Sequence, residues 1–139
     1  MVSPGLKRSP ITLAVGDVAA FTAFGVIGLV SHERSFDVEV VARSIVPFVV
    51  AWLAIAPFFG AFSEAAVGRS GRGPDLRLWK IAAIWVPVGV VALRARALVF
   101  DRELLNAFFV IALVGHGLFL VGWRAIYSRW ARPDVQTAL

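Results

Sequence analysis

The chain has no cysteine, which excludes disulfides and thiol chemistry and leaves the redox compartment uncoded. Histidine is nearly absent too: His32 and His116 are the only two, too few for a histidine-based metal site. Tyrosine occurs once, at Tyr127. Serine and threonine inside the apolar runs come down to Thr12, Thr22 and Ser44. With no nucleophile–base pair and no HExxH helix, no enzymatic activity is expected, and no cofactor. Lysine is represented by Lys7 and Lys80 against 12 arginines. Together with the Ala, Val and Gly content, that bias fits a GC-rich prokaryotic genome.

Charge as a whole is scarce. Charged residues make up 17% of the 139 positions and hydrophobic ones 59%. An average soluble domain is about 25% charged and about 45–50% apolar. The mean hydropathy of +0.80 departs in the same direction, toward a membrane protein. The net charge of +5 would suggest nucleic acid in a soluble protein. Here the basic residues flank apolar runs and there is no basic soluble domain. Topology signals and anionic lipid headgroups are the better reading, with membrane lipids as partners and no nucleic acid.

What is present is four apolar runs. A hydrocarbon core about 30 Å thick needs about 20 residues of helix. The runs Ile11–Val30, Val41–Phe62, Leu78–Phe100 and Leu104–Tyr127 each meet that length. None alternates polar and apolar residues, so a closed β-barrel is excluded. Pro47, Pro57 and Pro87 fall inside runs and are expected as tolerated kinks. The first run is too long for a signal-peptide core and no clean small-x-small cleavage site closes it, so it is expected as an uncleaved span. The fold class is therefore all-α, a single polytopic membrane helical bundle of four transmembrane helices.

Lys and Arg set the expected orientation. Lys7 and Arg8, the second loop with Arg69, Arg72, Arg77 and Lys80, and the C-terminal end with Arg124, Arg129 and Arg132 carry nine. Arg34, Arg43, Arg94, Arg96 and Arg102 give the other loops five. Positive residues favour the cytoplasm, so both termini are expected inside a prokaryotic plasma membrane. Trp79, Trp123, Tyr127 and Trp130 lie near span ends on that side, the depth amphipathic aromatics prefer, whereas mid-span Trp52 is expected between helices. Residues 63–77, "SEAAVGRSGRGPDLR", read as a flexible basic cytoplasmic loop without a phosphate-binding GxxxxGK[ST]. Residues 128–139 read as a short cytoplasmic tail.

The chemistry of interest is at membrane depth. Asp17 lies about 9 Å into the first span at 1.5 Å per residue, and a carboxylate there must pair, neutralise or meet water. Gly16 and Ala20 form a small-xxx-small face that lets another helix come close. Arg124 is the first-choice partner because a guanidinium binds a carboxylate through two parallel bonds; Lys80 and Arg77 are on the same side. Three roles stay open for Asp17: a buried pair fixing register, a proton or cation site, or an N-cap of a later helix start. His116, between Gly115 and Gly117, is either hydrogen-bonded between helices or a proton relay. The two glycines leave room for a backbone or ligand. On the outer side His32, Glu33, Arg43, Arg94 and Arg96 either snorkel outward or line a basic cavity for an anion.

The stretches "LAVGD…AF…FG…GLVSHE", "ARSIVPFVVAW" and "GLFLVGWRA" resemble a prokaryotic integral membrane family catalogued as domain of unknown function 3054. The residues that carry the resemblance are Gly16-Asp17, Ser31-His32, Arg43 with Pro47, and Gly122-Trp123-Arg124, within about residues 11–127. The resemblance implies a four-helix membrane protein with no assigned activity, and nothing for residues 63–77. Two functions remain from the residues themselves. One is a structural or accessory bundle. The other is a proton- or ion-coupled transporter or channel subunit using Asp17 and His116, carrying a small ion or solute along a path between protomers of a homo-oligomer.

Overall fold

In a computed structural model, the described residues are 9–32, 36–67, 77–103 and 107–130. They form four long helices: α1 (Pro10–Ser31), α2 (Val38–Ile55), α3 (Leu78–Val99) and α4 (Ala107–Trp130). Each is long and apolar enough to cross a membrane. No strand occurs among the described residues. α1 packs on α2 and α4, and α3 packs on the same two, so the helices close into a ring.

Local chemistry explains the helix ends. Ser9 caps α1 by accepting from the Thr12 N–H at 3.1 Å, and Pro10 takes the first helical position, where its missing N–H costs nothing. Pro47 and Pro87 lie inside α2 and α3 without ending them. Pro57 behaves otherwise. The second run was expected to continue helical to Phe62 through a kink there, but the α-helix stops at Ile55. A 3-10 turn follows over Ala56–Phe59, and Gly60 reverses the chain at φ 80°. That left-handed conformation is one only glycine adopts freely. α2 also begins earlier than expected, at Val38.

Residues 61–67 are the larger departure. The polar loop was expected to start at Ser63 and be flexible. Instead the chain makes successive turns under the bundle end, and Ala61, Ala66 and Val67 are buried. Residues 68–76, with Arg69 and Arg72, and residues 131–139 of the tail lie outside the described residues.

Aromatic rings fill the interior. Phe21, Phe48, Trp52 and Trp85 are buried with Ile81, Val88, Leu93 and Leu120. Their edge-on and tilted contacts, such as Phe21–Trp52 at 6.2 Å and Phe21–Trp85 at 5.1 Å, suit the ring quadrupoles. A second cluster of Leu13, Ala66, Val67 and Tyr127 sits at the end where α1 begins and α4 finishes. Outward faces are apolar: Ile11, Val15, Val38 and Leu118 are all well exposed. Such a surface suits a membrane-spanning bundle. Trp79 and Trp130 also point outward, whereas Tyr127, expected at the lipid interface, is buried.

Candidate functional site

Asp17 and Arg124 meet in the bundle interior. Asp17 is fully buried and Arg124 is 4% exposed. Gly16 sets the approach: the Trp123 indole occupies the space a Cβ there would need, so α1 and α4 come together only with glycine at that position. The helices then present a carboxylate and a guanidinium at matched depth. Arg124 Nε donates to Asp17 Oδ1 at 2.9 Å, and Nη2 donates to Oδ2 at 2.6 Å. This is the bidentate fork expected from the sequence.

Two further bonds complete the network. Trp52 on α2 donates its indole N–H to Asp17 Oδ2 at 2.8 Å. Arg124 Nη1 donates to the Ala61 carbonyl at 2.7 Å. The Phe62 ring lies 5.0 Å from the guanidinium carbon and the Trp52 ring 5.9 Å from it, placing π faces beside the buried cation. Both carboxylate oxygens thus accept from donors held by packed elements, as a buried charge in apolar surroundings requires. Asp17 is well inside α1, which begins at Pro10, so the N-cap role is excluded. Lys80, an alternative partner, instead lies over the Trp79 ring at 5.9 Å.

His116 stands about two helical turns from Arg124 on α4. It was expected to bond between helices, but its Nδ1 bonds within α4, to the Ala112 carbonyl at 2.8 Å. A carbonyl only accepts, so in the neutral ring Nδ1 carries the hydrogen and Nε2 is a bare acceptor. Nε2 is buried and has no hydrogen-bond partner among the described residues. Rings surround it: Phe48 stacked at 4.0 Å, Phe24 edge-on at 4.5 Å, Phe21 at 5.6 Å and Trp85 at 6.1 Å. The room beside Gly115 and Gly117 is taken by Phe24 and Trp85. Trp85 is fixed there by its N–H bond to the Leu113 carbonyl at 2.7 Å. Phe21 touches both Trp52 and His116, so an aromatic ring, not a hydrogen bond, separates the two polar positions.

The outer residues do not assemble. Arg43 pairs with Glu39 one turn earlier on α2 at 3.4 Å, and that carboxylate side chain is 68% exposed, so the pair contributes little. Arg94 and His32 are exposed, and no hydrogen bond or ion pair among the described residues joins either to Arg43. Arg96 rests its guanidinium on the Phe108 ring at 4.1 Å. Glu33 lies outside the described residues. Snorkelling therefore describes Arg94 better than a basic cavity does.

Sequence reasoning reached Asp17, Arg124 and His116. It placed Trp52 between helices without seeing its indole as the third donor to Asp17. It missed the Ala61 carbonyl and Tyr127, whose hydroxyl donates to the Val67 carbonyl at 3.1 Å. A backbone carbonyl in a turn leaves no residue-type signal to find.

A ring of four apolar helices with the Asp17–Arg124 pair buried inside it defines a small membrane-type helical bundle. The family model for a protein of unknown function (DUF3054) matches residues 14–127. The chain belongs to that family. No curated protein and no solved structure matches it.

Proposed function

We propose that the chain is a non-enzymatic structural or accessory bundle of a prokaryotic plasma membrane, with both termini cytoplasmic and lipid around its apolar faces. The observation that carries this reading is that both oxygens of the buried Asp17 carboxylate accept hydrogen bonds from protein donors, Arg124 and Trp52. A carboxylate that binds and releases an ion exchanges its partners, whereas a register lock holds its oxygens against fixed protein donors, as Arg124 and Trp52 do here. Charge placement favours the orientation: Lys and Arg number nine over the N-terminal segment, the second loop and the C-terminal end, against five in the other loops.

The test compares proton and cation flux in proteoliposomes containing wild type or Asp17→Asn at matched protein content. The expected result is flux at the empty-liposome level for both. Wild-type flux that disappears in the variant would overturn the structural reading.

One observation favours the second reading, a proton- or ion-coupled subunit. His116 Nε2, in the middle of the bundle, is an acceptor with no hydrogen-bond partner among the described residues. In that reading a homo-oligomer supplies the path, and His116→Phe abolishes flux.

A further inference from the structure

Beyond the role of the ion pair lies the segment that covers it. After Pro57 ends α2, residues 60–67 fold back across the bundle end instead of leaving it. Gly60, at φ 80°, is the turning point. Ala61, Ala66 and Val67 are buried beneath, while Glu64 stays exposed on the far side. Two side chains one turn apart on α4 hold the strap by its backbone. Arg124 donates to the Ala61 carbonyl and Tyr127 to the Val67 carbonyl. Below Ala66 and Val67 lies Leu13, fully buried, one α1 turn from Asp17 on the same face.

We propose that residues 60–67 are a hinged strap closing one end of the bundle, and that its release opens the Asp17–Arg124 pair to water. Three features converge on this. The hinge residue tolerates large backbone rotation because it is glycine. At the far end the Tyr127 hydroxyl donates to the Val67 carbonyl, an ordinary neutral hydrogen bond, beside Ala66 and Val67 packed on Leu13. The near anchor uses the same guanidinium that binds Asp17, so strap position and ion-pair geometry are coupled. Lifting the strap takes away the Arg124 Nη1 acceptor and the Phe62 ring together. The inference holds whether the bundle is purely structural or conducts: in the first case the strap keeps the lock dry, in the second it gates access to the carboxylate.

The cysteine-free chain makes the test clean. Single variants Leu13→Cys, Ala66→Cys and Glu64→Cys are reconstituted in nanodiscs and exposed to a membrane-impermeant maleimide, with and without Tyr127→Phe. Glu64→Cys is expected to react fast in both backgrounds. Ala66→Cys and Leu13→Cys are expected to be protected with Tyr127, and to react about fivefold faster with Tyr127→Phe, the factor for losing one ordinary hydrogen bond. Ala66→Cys is a small replacement, so folding is retained where Leu13→Cys destabilises. Labelling of Ala66→Cys as fast as Glu64→Cys in the Tyr127 background would overturn the proposal, because the strap would not be closed. Protection unchanged by Tyr127→Phe at both buried sites would overturn it as well, because the segment would be a fixed wall.

Discussion

Asp17 of α1 and Arg124 of α4, 107 positions apart in sequence, are joined by two parallel charge-assisted bonds at 2.9 and 2.6 Å in a largely apolar interior. A buried pair of this kind stabilises less than its geometry suggests, because both ions lose hydration. Its strength shows when one member is removed.

Replacing Asp17 with Leu, or Arg124 with Leu, is expected to cost about 3–5 kcal/mol, since the surviving charge is left buried and unpaired. The double replacement is expected to recover most of that loss. Unfolding titrations of the four proteins in mixed micelles give the coupling directly. A double variant as unstable as the two single losses added together would mean the residues do not act as a pair.

Trp52→Phe keeps a ring in the core and deletes the indole N–H to Asp17 Oδ2. The expected cost is about 1.5–3 kcal/mol, the range for a hydrogen bond to a charged acceptor. In the background lacking both Asp17 and Arg124 the same change is expected to cost far less. Equal costs in both backgrounds would assign Trp52 to packing alone.

Glycines of the bundle separate into two groups. Gly16→Ala is expected to destabilise by about 1–3 kcal/mol, because a Cβ there runs into the Trp123 indole. Gly28→Ala and Gly122→Ala meet nothing within 4 Å. These two are expected to be neutral or to stabilise by up to about 1 kcal/mol through reduced freedom of the unfolded chain. Thermal unfolding in detergent ranks the three, and a Gly28→Ala protein weaker than Gly16→Ala would contradict the packing described.

His116→Phe preserves a flat ring among Phe24, Phe48 and Trp85 while removing the unengaged Nε2 acceptor. Among the described residues the hydrogen bond lost is the one within α4, to Ala112. Stability is therefore expected to stay level or rise, because an unsatisfied buried acceptor costs about 1–3 kcal/mol. A clear drop in the unfolding midpoint would show that Nε2 has a partner in the membrane, such as a water or a second copy of the chain.

The sequence by itself determined the four spanning helices, the all-α class and the presence of three ionisable groups, Asp17, His116 and Arg124, that had to be reconciled with an apolar interior. Hydropathy over about 20 residues is a local sum, so it survives without knowledge of packing. It also brought Asp17 and Arg124 to matching depth, because an even number of antiparallel spans fixes depth by counting along each helix. Depth alone left Lys80 and Arg77 as rival partners. Bidentate chemistry put Arg124 first, and the rotation of α4 about its axis, with Trp123 against Gly16, is what seats it on Asp17. Tertiary structure alone decided that Pro57 ends a helix where Pro47 and Pro87 do not. The chain after Pro57 finds other hydrogen-bond partners, in Arg124 and Tyr127, and a buried niche over Leu13. Those partners come from the far end of the sequence. Nothing in the composition of residues 61–67 distinguishes a strap docked on them from a loop in water.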